Sequence, residues 1–253
     1  MPDAVTDLEV GCYVYAVLPA DQVVAGLHGL DDAEVEYVVH EGLAAAVSRI
    51  PLDRPPGRRA ELTAHQGVVE ALAKEGAVVP VRFGSVLDPE DEAVRELLEQ
   101  EGDRFAAVLE RLAGHVQLNL RATYVEDQVL AEVVASDPEI AELRRRTRDL
   151  PDGTMHPDLV RLGEAVSRAM EIRRTDDGTA LLDQVVPLVA DRSVRPGGGV
   201  DHLLDVALLV ESDRVEELEE VLETLAEAWH ERIRMRLVGP VAPYDFAEVD
   251  AWG

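Results

Sequence analysis

An arginine interrupts one of the most apolar stretches of the chain, the segment VVPVRFGSVL at residues 78–87. A guanidinium there can stabilise a reaction intermediate, bind an anion or tie two parts of a fold together, because it stays charged and donates five hydrogen bonds. By strand alternation Arg82 shares a face with Pro80 and Gly84, away from the innermost apolar side chains. An arginine there can reach backbone carbonyls or a carboxylate such as Asp245. We predict that Arg82 ties this segment to the C-terminal tail, and that Gly84 leaves room for the tail to pass.

Other residue types that carry chemistry are present without the spacing that the chemistry needs. His65 lies in the apolar stripe of a predicted helix, where a histidine is more often a hydrogen-bonded core residue than a ligand, and no HExxH pair occurs. Cys12 is the only cysteine, and the acidic clusters lack the spacing of an EF-hand loop. The glycines at 195–199 lack the lysine of a phosphate-binding loop. The sequence therefore predicts no catalytic residue, no metal site and no cofactor.

The last predicted strand, residues 232–240, carries three arginines on one face. Arg232, Arg234 and Arg236 alternate with apolar side chains in a chain that has 24 basic and 51 acidic residues, a net charge of −27. These arginines either pair with the acidic helix predicted at 214–229 or with a neighbouring strand, or they form a strip that docks an acidic partner.

Charge and hydropathy restrict the classes of partner. A strongly acidic protein is disfavoured as a ligand of nucleic acid or of an anionic membrane, because both require basic surface. No apolar run approaches the roughly 20 residues that span a bilayer, and the N-terminus lacks the pattern of a signal peptide. These features predict a soluble, cytoplasmic protein.

The elements that must position these residues fall into two groups of strands and helices. Apolar alternation and turn residues predict strands at 10–18, 35–40, 43–50, 78–87, 115–124, 202–210 and 232–240. Helical periodicity predicts helices at 60–75, from Asp88-Pro89 onward with an interruption near Gly102, after residue 124, and at 157–174, 179–190 and 214–229.

This order of elements predicts an α+β protein of two domains, 1–112 and 113–238, followed by a tail. Each domain is expected to be a small mixed or antiparallel sheet with helices, a modified ferredoxin-like plait. The tail, 239–253, is rich in proline and aromatic residues and is expected to pack back on the body of the protein.

Three pieces of the chain, in this order, resemble the gas vesicle protein F/L family. YVYAVLPA at 13–20 is similar to a YVYGI-type start, the helix with His65 runs into VVPVRFGSVL as in an LPVRFGT-VF signature, and GPVAPYDF at 239–246 is similar to a terminal GPWPPYSF motif. Val241 and Ala242 stand in place of the usual Trp and Pro, and GHVQLNL replaces the commoner EWGVKV-type strand. The motif residues are His65, Pro80, Arg82, Phe83, Gly84, Gly239, Pro240, Pro243, Tyr244 and Phe246.

The resemblance implies an accessory protein without catalytic activity that assists assembly of the small, hydrophobic main subunit of the vesicle shell. It implies the shell protein and other gas vesicle accessory proteins as partners, with neither nucleic acid nor lipid membrane, and a location at the vesicle and in the cytoplasm. A large net charge would help to keep an aggregation-prone partner in solution.

The alternative function is a ligand- or nucleotide-binding regulator on a ferredoxin-like platform, which predicts a concave pocket with polar groups near Arg82. A third hypothesis is a homo-oligomeric scaffold.

Overall fold

The chain forms two compact units, each built on its own sheet. The computed structural model describes residues 10–51, 54–149, 151, 156–199 and 201–247. The first unit comprises Met1–Gln117 and Pro240–Gly253, and the second comprises Leu118–Gly239. Helices and antiparallel sheets occur in both, so the predicted α+β class is confirmed. Within the described ranges, none of the helices combines the length and the apolar character that crossing a membrane requires.

The first unit is a five-stranded sheet with two helices. Its elements in chain order are β1 Val10–Pro19, β2 Glu36–His40, β3 Leu43–Pro51, α1 Arg59–Glu75, β4 Val79–Pro80, β5 Val86–Leu87 and α2 Asp91–Leu112. The strand order is β2-β3-β1-β4, with β5 also paired to β1. Because β1 lies in the centre and is covered on both faces, its side chains from Gly11 to Leu18 are all buried, which explains its nearly continuous apolar sequence.

The hairpin between β2 and β3 follows the sequence closely. Glu41 and Gly42 both have positive φ, 43° and 86° respectively, as the two central residues of a type I′ turn require. Glycine reaches this conformation without steric cost, and the short turn fixes the antiparallel register of His40 opposite Leu43.

The segment 78–87 is two short strands, so the prediction of one continuous strand is wrong. Both β4 and β5 pair with β1, and between them the chain turns away from the sheet. The Ser85 N–H donates to the Arg82 carbonyl at 3.3 Å, and Gly84 has a φ of 94°, the positive φ that the third position of a type II turn requires. Residues 82–85 therefore form a turn, here called the VRFG turn because it contains most of that signature, and its side chains do not alternate as in a strand.

Helix α2 begins at Asp91, three residues after the Asp88-Pro89 start that the sequence predicts, and it continues through Gly102 without interruption. A glycine inside a helix costs only about 1 kcal/mol relative to alanine. Burial of Leu98 and Phe105 on either side of Gly102 offsets that cost.

The second unit has the order βαββαβ with extra helices in the first crossover. Its elements are β6 His115–Tyr124, α3 Glu126–Ser136, α4 Pro138–Thr147, α5 Pro157–Val185, β7 Asp191–Val194, β8 His202–Glu211, α6 Val215–Trp229 and β9 Ile233–Val241. The strand order β7-β8-β6-β9 puts the first and third strands in the centre and the second and fourth at the edges, the ferredoxin-like arrangement. The first unit has the different order βββαββα.

Helix α5 is a single helix of 29 residues where the sequence predicts two, at 157–174 and 179–190. The residues between the two predicted helices, 175–178, continue the helix. In the structure, Tyr124 donates a hydrogen bond of 2.9 Å to Asp177. Gly178 is buried beside Leu203 and continues the helix. The four-residue strand β7 follows directly and is absent from the predicted elements because it is too short to show alternation.

Candidate functional site

His65 lies inside the first unit, surrounded by aromatic rings. The apolar face of α1 turns it inward together with Val69 and Leu72, and only 1% of its surface is exposed. Its ring centroid is 5.7 Å from those of Tyr13 and Tyr15 on β1, because alternation puts both tyrosines on the same face of the strand. The ring of Phe83, from the VRFG turn, is 5.6 Å away. We call the set Tyr13, Tyr15, His65, Phe83 and Tyr244 the His65 cluster.

Hydrogen bonds occupy both nitrogens of the His65 ring. Nδ1 is 2.9 Å from the Tyr13 hydroxyl, and Nε2 is 3.0 Å from the Tyr244 hydroxyl. The Gly84 N–H donates to the Tyr13 hydroxyl at 3.1 Å. All of these groups are satisfied when Tyr13 donates to Nδ1 and the Nε2–H donates to Tyr244. His65 therefore links β1, α1, the VRFG turn and the C-terminal residues.

Burial keeps the members of the His65 cluster uncharged at neutral pH. It lowers the pKa of His65 to about 4, because the charged imidazolium would lose its hydration inside the unit. Burial also raises the pKa of Tyr13 and brings that of Tyr244 to about 12. A neutral histidine with both nitrogens in use has no free atom for a substrate, so the geometry gives His65 a structural role.

Two further residues of the first unit hold the C-terminal residues 240–247, here called the terminal segment, through three hydrogen bonds. The Gln117 amide donates to the Asp245 carboxylate at 2.6 Å, and the Asp245 N–H donates back to the Gln117 amide oxygen at 3.2 Å. Arg111 donates to the Phe246 carbonyl. Pro243 and Phe246 are buried, whereas Tyr244 is 39% exposed and Gly239 and Pro240 lie at the surface.

Arg82 does not take the place that we predicted for it. It is exposed, and its guanidinium makes no hydrogen bond or ion pair with any residue in the described ranges, Asp245 included. The turn explains this, because it directs the chain away from the sheet at Arg82, while Pro80 before it stays buried on the sheet. Space is not the reason for Gly84 either, since a Cβ there would meet nothing within 4 Å; its φ of 94° is the reason.

A cavity of about 240 Å³ lies beside the terminal segment in the first unit. Its polar side chains include Glu70, Lys74 and His115, and its apolar lining includes Val78 and Leu112. This volume is below the roughly 300–1,000 Å³ that is usual for small-molecule sites. Arg82 does not line it, so this cavity differs from the pocket that the ligand-binding alternative predicts.

The three arginines near the C-terminal end of the second unit differ in their surroundings. Arg232 precedes β9 and forms ion pairs with Asp177 of α5 and, at 3.3 Å, with Glu132 of α3. Arg234 and Arg236 lie on β9, are exposed, and make no ion pair with a described residue. Neither predicted partner of Arg232, the acidic helix or a neighbouring strand, is the one found, and the candidate docking strip is reduced to two arginines.

Two apolar grooves open on the second unit, each of about 330 Å³. The α6–β9 groove is lined by Leu120, Leu222, Ala226, Met235 and Leu237, with Glu219 and Glu223 at its rim. The α3–α5 groove is lined by Leu130, Ala131, Val134, Leu162 and Val166, with Asp127 and Arg144 at its rim. Each groove is the gap between a helix and the element packed beside it, and most of the residues that line it are apolar.

Among the described residues, no three His, Cys, Asp or Glu side chains lie close enough together to hold a metal ion.

The sequence analysis did not identify Arg111 and Gln117, the partners of the terminal segment. Gln117 lies on the polar face of β6, which alternation predicts to be exposed, yet it is 2% exposed. In the sequence, Tyr13 and Tyr15 were noted only as part of YVYAVLPA, the segment that resembles the start of a family member.

The fold and these sites define an α+β protein of two sheet-based units in which the buried polar groups support structure and the grooves face outward. The chain belongs to the gas vesicle protein family described as gas vesicle synthesis protein GvpL/GvpF, whose family model matches residues 11–248. The resemblance seen in the sequence is thus confirmed, and the protein is gas vesicle-related.

Individual relatives agree with this assignment. The chain is 33% identical over 214 residues to gas vesicle protein F of Streptomyces sp. (strain CB03234), covering 85% of this chain and 88% of the relative. It is 29% identical over 254 residues to gas vesicle protein L of the same strain, covering 94% and 92%. The crystal structure of GvpF from Anabaena sp. PCC7120 shares the fold, with a TM-score of 0.83, 21% identity, and coverage of 94% of this chain and 98% of that chain.

Proposed function

We propose that this protein binds the hydrophobic shell subunit of the gas vesicle and assists its assembly. The observation that carries the proposal is membership of the GvpL/GvpF family over residues 11–248, because relatives of this family bear gas vesicle names. The proposed role is that of an assembly factor and not of an enzyme, with other gas vesicle accessory proteins as further partners.

The surface of the second unit supports this role. An apolar partner needs apolar contact, and both the α6–β9 groove and the α3–α5 groove offer it at the surface. The rim of the first groove carries Glu219 and Glu223, on a helix with further acidic residues toward solvent. A net charge of −27 opposes self-association and would keep a complex with an aggregation-prone subunit in solution.

A co-expression experiment tests the proposal directly. The shell subunit is expressed alone or with the tagged full-length chain, and its share in the supernatant after centrifugation is measured together with its recovery on the tag. We expect the chain to retain the shell subunit and to raise its share in the supernatant. If the subunit is neither retained nor shifted, and vesicle number is unchanged on deletion of the gene, the proposed function is wrong.

The proposed location is the vesicle as well as the cytoplasm. Immunodetection in purified vesicles, before and after washing with high salt, measures the fraction that remains with the shell. We expect a fraction to resist washing, because apolar contacts are not weakened by salt. Complete removal by salt, with all protein in the supernatant, would contradict a location at the shell.

A further inference from the structure

Among the described strands, β9 is an edge strand whose outer side has no neighbour in the sheet. It ends the order β7-β8-β6-β9, and the strands described pair it with β6 alone. The Val125 N–H donates to the Arg232 carbonyl at 2.7 Å, which joins the end of β6 to the start of β9, so the two strands run antiparallel. Backbone groups alternate in such a ladder, and those of Met235 and Leu237 therefore point to the open side.

The side chains of β9 divide the open edge into two chemically different faces. On one face, Met235 and Leu237 are partly buried and form one wall of the α6–β9 groove. On the other face, Arg234 and Arg236 are exposed, and their guanidinium groups have no acidic partner among the described residues. An alternating strand thus presents an apolar row and a cationic row beside free backbone donors and acceptors.

The other edge strands of the two sheets do not combine these features. Strand β7 has four residues and carries both Asp191 and Arg192, and β2 has five residues with Glu36 at its start. Strand β4 has only two residues, neither of them charged. Strand β9 has nine residues, and its only charged side chains are arginines. In a chain of net charge −27, this edge therefore presents two exposed cations to a partner and no anion of its own.

We propose that the β9 edge binds an extended segment of a partner protein that alternates acidic with apolar residues, and that this segment adds a fifth strand to the second sheet. Its acidic side chains lie next to Arg234 and Arg236, and its apolar side chains extend the α6–β9 groove over Met235 and Leu237. Backbone hydrogen bonds contribute affinity, and the alternation of the two faces contributes specificity.

The charges argue against a second copy of this chain as the occupant. Symmetric pairing of two β9 strands would set arginines against arginines across the ladder, and like charges in this position are destabilising. Charged residues on an edge strand also discourage unspecific strand pairing. The experiment must therefore distinguish two roles of the arginines: binding a partner strand, or only preventing unspecific strand pairing.

A fluorescently labelled octapeptide that alternates glutamate with valine serves as the probe, titrated with the full-length protein and followed by anisotropy. We expect saturable binding that weakens as salt is raised. Arg234→Glu with Arg236→Glu should weaken this peptide at least tenfold and create binding of the matching lysine–valine peptide. The control, Arg168→Glu with Arg192→Glu, makes the same change of charge at other exposed positions of the second unit and should leave the affinity within twofold.

The backbone contribution has its own test. N-methyl groups on one alternate set of peptide amides should abolish binding, and N-methyl groups on the other set should not, because only one set faces β9. The proposal is overturned if the glutamate–valine peptide does not bind at millimolar concentration, if charge reversal affects it no more than the control, or if both methylated peptides bind equally. Since no shell subunit is present, these outcomes are independent of the co-expression test of the proposed function.

Discussion

The His65 cluster and the β9 edge place polar groups among apolar ones in opposite ways. In the His65 cluster, both ring nitrogens and the Tyr13 hydroxyl have partners, and His65 is 1% exposed. At the β9 edge, Arg234 and Arg236 are exposed and have no acidic partner in the part of the chain that is described. A saturated, buried set of polar groups stabilises its own fold, whereas exposed and unsatisfied groups are available to another molecule.

Arg232 and Arg234 show the same difference at a distance of two residues. Arg232 has ion pairs with Asp177 and Glu132 and so connects its strand to two helices. Arg234 carries the same guanidinium group but makes no ion pair with a described residue. Position in the fold, and not residue type, therefore decides which arginine of a run supports structure and which stays exposed.

Replacement of His65 should have the largest effect on stability. His65→Ala removes a buried ring and leaves the Tyr13 and Tyr244 hydroxyls without their partner, and we expect a loss of about 3–5 kcal/mol in the free energy of unfolding. Urea denaturation followed by circular dichroism measures this loss. The matched control is His28→Ala, an exposed histidine of the same unit, which should change stability by less than about 0.5 kcal/mol. Equal effects of the two substitutions would show that the cluster does not hold the first unit together.

Acidification should weaken the His65 cluster before it affects most carboxylates. The unfolded chain protonates His65 near pH 6.5, whereas the folded pKa is about 4, so the unfolded state binds more protons between these values. Stability is therefore lost as pH falls, by about 1.6 kcal/mol between pH 6.5 and 5. His65→Phe keeps a ring but cannot be protonated, and its unfolding free energy should lose less over the same range. Parallel pH profiles of the two proteins would contradict the pKa shift.

The sequence predicts those parts of the fold that depend on local pattern. The β2–β3 hairpin follows from alternation and Gly42, and the apolar stripe of α1 correctly places His65 in a core. The VRFG turn was misread because Val79, Val81 and Phe83 alternate as in a strand, and only Gly84 signals a positive φ. The partners of the terminal segment, such as Gln117, are distant in sequence, and no local pattern encodes a contact across 128 residues.

Loss of the Tyr244 hydroxyl should have a smaller, local effect. Tyr244→Phe removes the hydrogen bond to His65 but keeps the ring, and we expect a loss of about 1 kcal/mol. Hydrogen exchange should become faster at the Asp245 and Phe246 amides, which are bonded to Gln117 and Pro243, and remain unchanged in α6. Unchanged exchange in the terminal segment would mean that Arg111 and Gln117 suffice to hold it.

Charge reversal on β9 should leave stability nearly unchanged, which makes it the sharpest contrast with His65. Arg234→Glu with Arg236→Glu removes no ion pair between described residues and no buried side chain, so we expect a change within about 0.5 kcal/mol in urea denaturation. Arg232→Glu, two residues away, should instead cost about 2–4 kcal/mol, because it places a carboxylate beside Glu132 and the partly buried Asp177. If the double reversal destabilises the protein as much as Arg232→Glu does, Arg234 and Arg236 support the fold. The β9 edge would then resemble the His65 cluster, and the contrast between them would be wrong.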